Sequence, residues 1–77
     1  MRTHESEEMY LETIYLLKRR RGAVRSIDVV EELGYAKSSV SRGVNLLQKK
    51  GYIEISHLTG DIEFTEEGLK KASSVYE

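Results

Sequence analysis

The stretch SIDVVEELGYAKSSVSRGVNLLQKKG, residues 26–51, constrains this chain more than any other. Two segments with apolar residues at helical spacing are separated only by Gly34, Tyr35, Ala36 and the borderline residue Lys37. Glycine just past the last periodic residue is a helix stop, because without a β-carbon it enters the left-handed backbone that ends a helix. Two short helices joined by so tight a glycine-containing turn predict a helix-turn-helix. Ser26 reads as the N-cap of the first helix, with Asp28 in its first turn. The second helix is expected from about Lys37 to Lys50, with Val40, Val44 and Leu47 inward and Leu46 at the edge.

The flanks complete the pattern. From Ser6 to about Arg21, Tyr10, Ile14 and Leu17 recur at i, i+4, i+7, and Leu11 and Tyr15 widen the stripe, as in an amphipathic helix. Gly22 closes it, after the cations Lys18 to Arg21 that suit a helix C-terminus. Ala23, Val24 and Arg25 are too few for more than a short extended segment. Beyond Gly51, YIEIS and DIEFT each alternate, with Ile53, Ile55, Ile62 and Phe64 inward, and HLTG between them supplies turn chemistry. That is a two-stranded hairpin. Thr65 caps a last helix whose first turn holds Glu66 and Glu67. The expected fold is mainly α (α+β): a winged helix-turn-helix with a three-helix core, a two-stranded β-hairpin wing and a C-terminal helix. No repeat, low-complexity tract or linker divides it, so residues 1–77 form one domain.

Charge narrows the function. The net charge of −1 over 77 residues hides a segregation. Residues 1–17 set one arginine against four glutamates, residues 18–50 nine lysines and arginines against three acids, and residues 51–77 two lysines against six acids. A basic middle between acidic ends points to a polyanionic partner. The chain has no cysteine, which removes disulfides and thiolate metal sites. No apolar run approaches the roughly 20 residues that cross a bilayer, and the polar, acidic start MRTHESEEM is unlike a secretory signal. These features predict a soluble cytoplasmic protein with no membrane partner. The two histidines, His4 and His57, fall in a terminus and a hairpin turn, and no cluster of titratable groups suggests an enzyme.

In a helix-turn-helix the second helix enters the major groove and its leading residues meet base edges. Lys37, Ser38, Ser39, Ser41 and Arg42 occupy that portion here. Small hydroxyls allow close approach and bond bases or phosphates, and arginine can fork onto guanine. Helix propensity is given up for fit. Arg25, Ser26 and Lys49 flank the helix as candidate phosphate contacts, and Lys18 to Arg21 could add longer-range attraction. Gly43 in mid-helix costs roughly 1 kcal/mol relative to Ala and implies close approach to another helix or to DNA. The hairpin tip offers only His57 and Thr59, with Asp61 opposing phosphate, so wing contacts are not expected.

EMYLETIYLL, then VRSIDVVEELGYAKSSVSRGVNLLQKKGYIE, then FTEEGLKKA resemble the N-terminal domain of the diphtheria toxin repressor family, iron- or manganese-dependent transcriptional regulators, over about Glu8 to Tyr76. The resemblance implies a repressor whose dimer binds a palindromic operator in duplex DNA once Fe(II) or Mn(II) loads. It maps DNA contacts onto Arg25, Ser38, Ser39, Ser41, Arg42 and Lys49, and two metal ligands onto Met9 and Glu12, where methionine looks like the iron-responsive branch. Lys37 stands where many relatives have proline, and the wing HLTGD lacks their basic residue. The family's remaining ligands and dimerisation helices lie downstream of its DNA-binding domain. The last helix here shows no Gly, Asn or polar stop before Glu77, so the chain reads as a fragment or a minimal relative. With at most two ligands it is expected to hold no metal tightly, and to dimerise only where a downstream region exists. The reading is a sequence-specific DNA-binding transcriptional regulator. The alternatives are a winged-helix protein-interaction module and a winged-helix regulator that senses no metal.

Overall fold

In the computed structural model, which describes residues 7–76, six elements follow in chain order: α1 (Glu7–Arg21), α2 (Ser26–Leu33), α3 (Lys37–Lys49), β1 (Ile53–Ile55), β2 (Ile62–Phe64) and α4 (Glu66–Tyr76). This is the winged helix-turn-helix that the spacing predicts. His4 and the expected helix start at Ser6 lie outside the described residues.

Helix α1 is the hub, packing against α2, α3 and α4. Tyr10, Leu11, Ile14 and Leu17 are buried on it and meet Val24, Val29, Val40, Val44, Leu47, Ile53, Ile62 and Ala72 in a single core. Each large aliphatic side chain buried this way contributes roughly 1.5–3 kcal/mol. Thr13, the one buried polar residue among those described, donates its hydroxyl to the Met9 carbonyl at 2.8 Å, so no polar group is stranded.

One expected cap is corrected. Ser26 is already helical, and the N-cap of α2 is Arg25, in extended conformation. Capping comes from inside the helix: Arg25 N–H donates to Asp28 Oδ2 at 2.8 Å, while Arg21 Nη1 donates to Asp28 Oδ1 at 2.8 Å. A carboxylate in the first turn is better placed than a serine hydroxyl to meet both a free amide and the positive helix end. Gly34 then stops α2 as expected, at φ +72°, its N–H donating to Val30 O at 2.8 Å.

The wing is a minimal antiparallel pair with Ile53 opposite Phe64, Glu54 opposite Glu63 and Ile55 opposite Ile62. Two strands alone are marginal in water, and this pair leans on its neighbours. Ile62 N–H donates to Val24 O at 2.7 Å, so the segment ahead of α2 lends the hairpin one rung. Lys18 Nζ donates to Ile62 O at 2.9 Å and reaches Glu63 at 3.3 Å, countering the like charges that face each other across the strands. At the tip, Gly60 N–H bonds Ser56 O and Ser56 N–H bonds Asp61 O, both at 2.9 Å.

Thr65 caps α4 as expected, its hydroxyl oxygen accepting from Gly68 N–H at 3.0 Å while the hydroxyl donates to Gly51 O at 2.6 Å. No helix among the described residues is long and apolar enough to cross a membrane.

Candidate nucleic-acid interface

Helix α3 is pinned from behind. Val40, Val44 and Leu47 are 0–1% exposed, and at 3.6 residues per turn their common side leaves the opposite one to solvent. Ser38, Ser41, Arg42, Asn45 and Lys49 are all exposed, as is Lys37 at the first position. Ser39 is half-buried beside α1, where its carbonyl accepts the Tyr10 hydroxyl at 3.3 Å. The group Ser38 to Arg42 therefore reaches the surface with Ser39 at its flank.

The start of α3 is suited to anions. Its N-cap, Ala36, is extended and offers no side-chain cap, so the first-turn amides keep their donors, at the positive end of the helix. Lys37 and the serine hydroxyls lie beside them. Among the described residues neither Arg42 nor Lys49 has an ion-pair partner.

The other cations are held differently. Arg25 is 60% exposed and pairs with Asp61 at 3.4 Å, fastening the entrance of α2 to the wing beside its turn. An exposed pair of this kind is worth about 0–1 kcal/mol, so a phosphate can compete for the guanidinium. Ser26 is half-buried beside it. The cluster at the end of α1 is committed within the fold: Lys18 to the wing, Arg20 to Glu32 at 3.2 Å, Arg21 to Asp28, and Arg19 over the Tyr15 ring at 5.8 Å. That leaves the long-range attraction expected of Lys18 to Arg21 largely offset by neighbouring acids.

Asn45 escaped the sequence reading. It lies three residues after Arg42 and four after Ser41, on their exposed face, and its carboxamide can pair with adenine. The i+3/i+4 spacing from Arg42 and Ser41 is the signal that places it there.

Around Glu7 and Lys50, α1 and α3 are clamped by an ion pair. The Glu7 carboxylate, by hydrogen bond first and charge second, holds the Lys50 ammonium above its ordinary pKa.

Met9 and Glu12 lie one turn apart on α1, both half-buried. The Tyr35 hydroxyl donates to the Met9 sulfur at 3.6 Å. Among the described residues no three His, Cys, Asp or Glu side chains come together as a group that could hold a metal ion. His57 is exposed in the hairpin turn.

A family model described as "Iron dependent repressor, N-terminal DNA binding domain" matches residues 2–60, which span α1 through the wing turn. No curated protein matches the chain.

Proposed function

As this chain belongs to the iron-dependent repressor family through its N-terminal DNA-binding domain, we propose that it is a sequence-specific transcriptional regulator that lays α3 in the major groove of duplex DNA. The observation that carries the reading is the outer face of α3, where hydroxyls, an amide and two cations without ion-pair partners among the described residues stand directly opposite a fully buried valine–leucine stripe.

The division of labour follows from side-chain chemistry. Arg42 has the fork that matches guanine O6 and N7, each such pair giving about 1–3 kcal/mol of discrimination. Ser38, Ser39 and Ser41 bring the backbone close and bond either bases or phosphates. Lys37, Lys49 and Arg25 hold phosphates, which fixes register without reading sequence. Ser26, next to Arg25, adds a hydroxyl at the same end of α2.

Metal dependence is the family's property, and among the described residues no three His, Cys, Asp or Glu side chains gather as a metal centre. Met9 and Glu12 are two donors of unlike softness, and the Met9 sulfur already accepts the Tyr35 hydroxyl. Fe(II) or Mn(II) would need ligands beyond Met9 and Glu12, and a homodimer on a palindromic operator would need a dimerisation surface. The protein-interaction reading is the weaker one, since the face a partner would cover is polar and cationic at its centre.

Fluorescence anisotropy on a labelled duplex tests the proposal. Three to four phosphate contacts per chain give a log–log salt slope of roughly −3. Binding that ignores salt, or no binding to any duplex pool at low salt, overturns the reading.

A further inference from the structure

The flank of α3 that turns away from the wing carries a second feature. Between the start of α1 and the middle of α3 runs an apolar groove of about 440 Å³, in the range of small-molecule sites. Its walls include the Tyr10 ring, the Gly43 backbone and Leu46, the last 43% exposed, and its rim carries Arg42 and Lys49. Apolar surface dominates the lining, yet the charges at the rim are unbalanced. Glu7, the one carboxylate there among the described residues, is engaged by Lys50. Arg42 and Lys49 have no such partner among the described residues.

We propose that this groove between α1 and α3 binds a small organic anion, an aromatic or aliphatic acid whose apolar body rests on Tyr10, Gly43 and Leu46 and whose acidic group pairs with Arg42 and Lys49. Charge complementarity selects the occupant. A neutral apolar molecule leaves both cations unused, an inorganic anion leaves the apolar floor wet, and a cation is repelled by the rim. The groove's volume suits a small molecule and not a folded partner. The consequence for regulation rests on the DNA-binding reading above: the same two cations cannot serve an acid in the groove and DNA at once, so an occupant acts as an inducer that releases DNA.

Anilinonaphthalene sulfonate and its uncharged parent, phenylnaphthylamine, share an apolar frame and differ in the acid. Titrated into the 77-residue protein without DNA, the sulfonate should bind saturably with enhanced fluorescence, and the neutral probe roughly tenfold more weakly, the value of one charge-assisted contact. The R42Q/K49Q double variant should bring the two probes level. Leu46→Asn, which removes an apolar wall at a half-exposed site, should weaken both probes while far-UV circular dichroism and DNA affinity stay within about twofold. Equal affinity for the two probes, no effect of R42Q/K49Q, or no saturable binding overturns the proposal. In the presence of labelled duplex, the sulfonate should raise the apparent Kd in proportion to its occupancy. Binding of the probe without displacement overturns the inducer role. If the protein binds the probe as described but no duplex at all, the DNA-binding reading fails and the anion site stands.

Discussion

The ring of Tyr10 occupies the space into which a side chain at Gly43 would project: a β-carbon built there overlaps the ring's far edge. The mid-helix glycine is therefore explained by the approach of α1 to α3, one of the two causes the sequence left open. Tyr10 is 3% exposed and its hydroxyl is tied to Ser39 O, so the ring cannot swing aside freely.

Gly43→Ala should accordingly destabilise the protein. Helix propensity favours alanine by roughly 1 kcal/mol, but overpacking a well-filled contact costs about 1–3 kcal/mol, and the second effect wins. Urea unfolding monitored by circular dichroism should show a lower midpoint. Tyr10→Leu should turn Gly43→Ala from harmful to neutral or favourable, a coupling that a double-mutant cycle measures. A Gly43→Ala protein more stable than the parent would contradict the packing account.

Asp28 and Ser26 exchange the roles the sequence suggested. Asp28→Ala leaves the Arg25 amide without its acceptor and Arg21 without its partner, and loss of a cap costs about 0.5–2 kcal/mol. Ser26→Ala should change stability by no more than about 0.5 kcal/mol, since it touches no cap. Equilibrium unfolding of the two variants separates these expectations, and a larger loss at Ser26 would reverse the assignment.

Much of this architecture is readable without coordinates because its signals are local. Gly34 just after Leu33, Thr65 just before Glu66 and the Val40–Val44–Leu47 stripe each encode one boundary or one face within a few residues. The exposed front of α3 follows from the same periodicity. What stayed hidden depends on contacts between distant residues. Nothing near Gly68 reveals that the Tyr52 carbonyl lies against its α-carbon, leaving no space for a β-carbon. Nor does Val24 announce that its carbonyl completes the wing. The cap of α2 is hidden for a different reason: Ser26 and Asp28 both carry acceptors, and only the path of the chain from Gly22 decides which one faces the free amide. The groove beside Arg42 belongs with the hidden features, since Tyr10 and Leu46 are far apart in sequence.

Lys50 and Glu7 predict a pH dependence. Folding raises the Lys50 pKa, through the Glu7 hydrogen bond first, then its charge, with Tyr52 adding to it. A lysine held charged in the folded state contributes its full share below the unfolded pKa and loses it as pH climbs through the raised folded value. The window thus opens near the ordinary value of 10.5 and extends upward. Lys50→Gln should unfold at lower urea than the parent at pH 8, and the gap should shrink as pH climbs past the ordinary lysine value of 10.5. A gap that persists unchanged at high pH would assign the role of Lys50 to packing and not to charge.

Arg42 and Lys49 sit two turns apart on one exposed face and should fail differently. Arg42→Ala removes the group suited to guanine, so the preferred sequence should lose about 1–3 kcal/mol of binding while the poorest sequences lose little. Lys49→Ala removes a phosphate contact, so all sequences should weaken alike and the salt slope should flatten by about 1. Selection from a randomised duplex pool identifies the preferred site, and anisotropy against that site and a scrambled one then reads both variants across a salt series. Uniform weakening by both would take base reading away from Arg42 and pass the role to its neighbour Asn45, which Asn45→Ala in the same assay would show as lost discrimination at an adenine position. Retained discrimination in that third variant as well would place sequence reading outside α3 altogether, and with it the proposed docking of this helix.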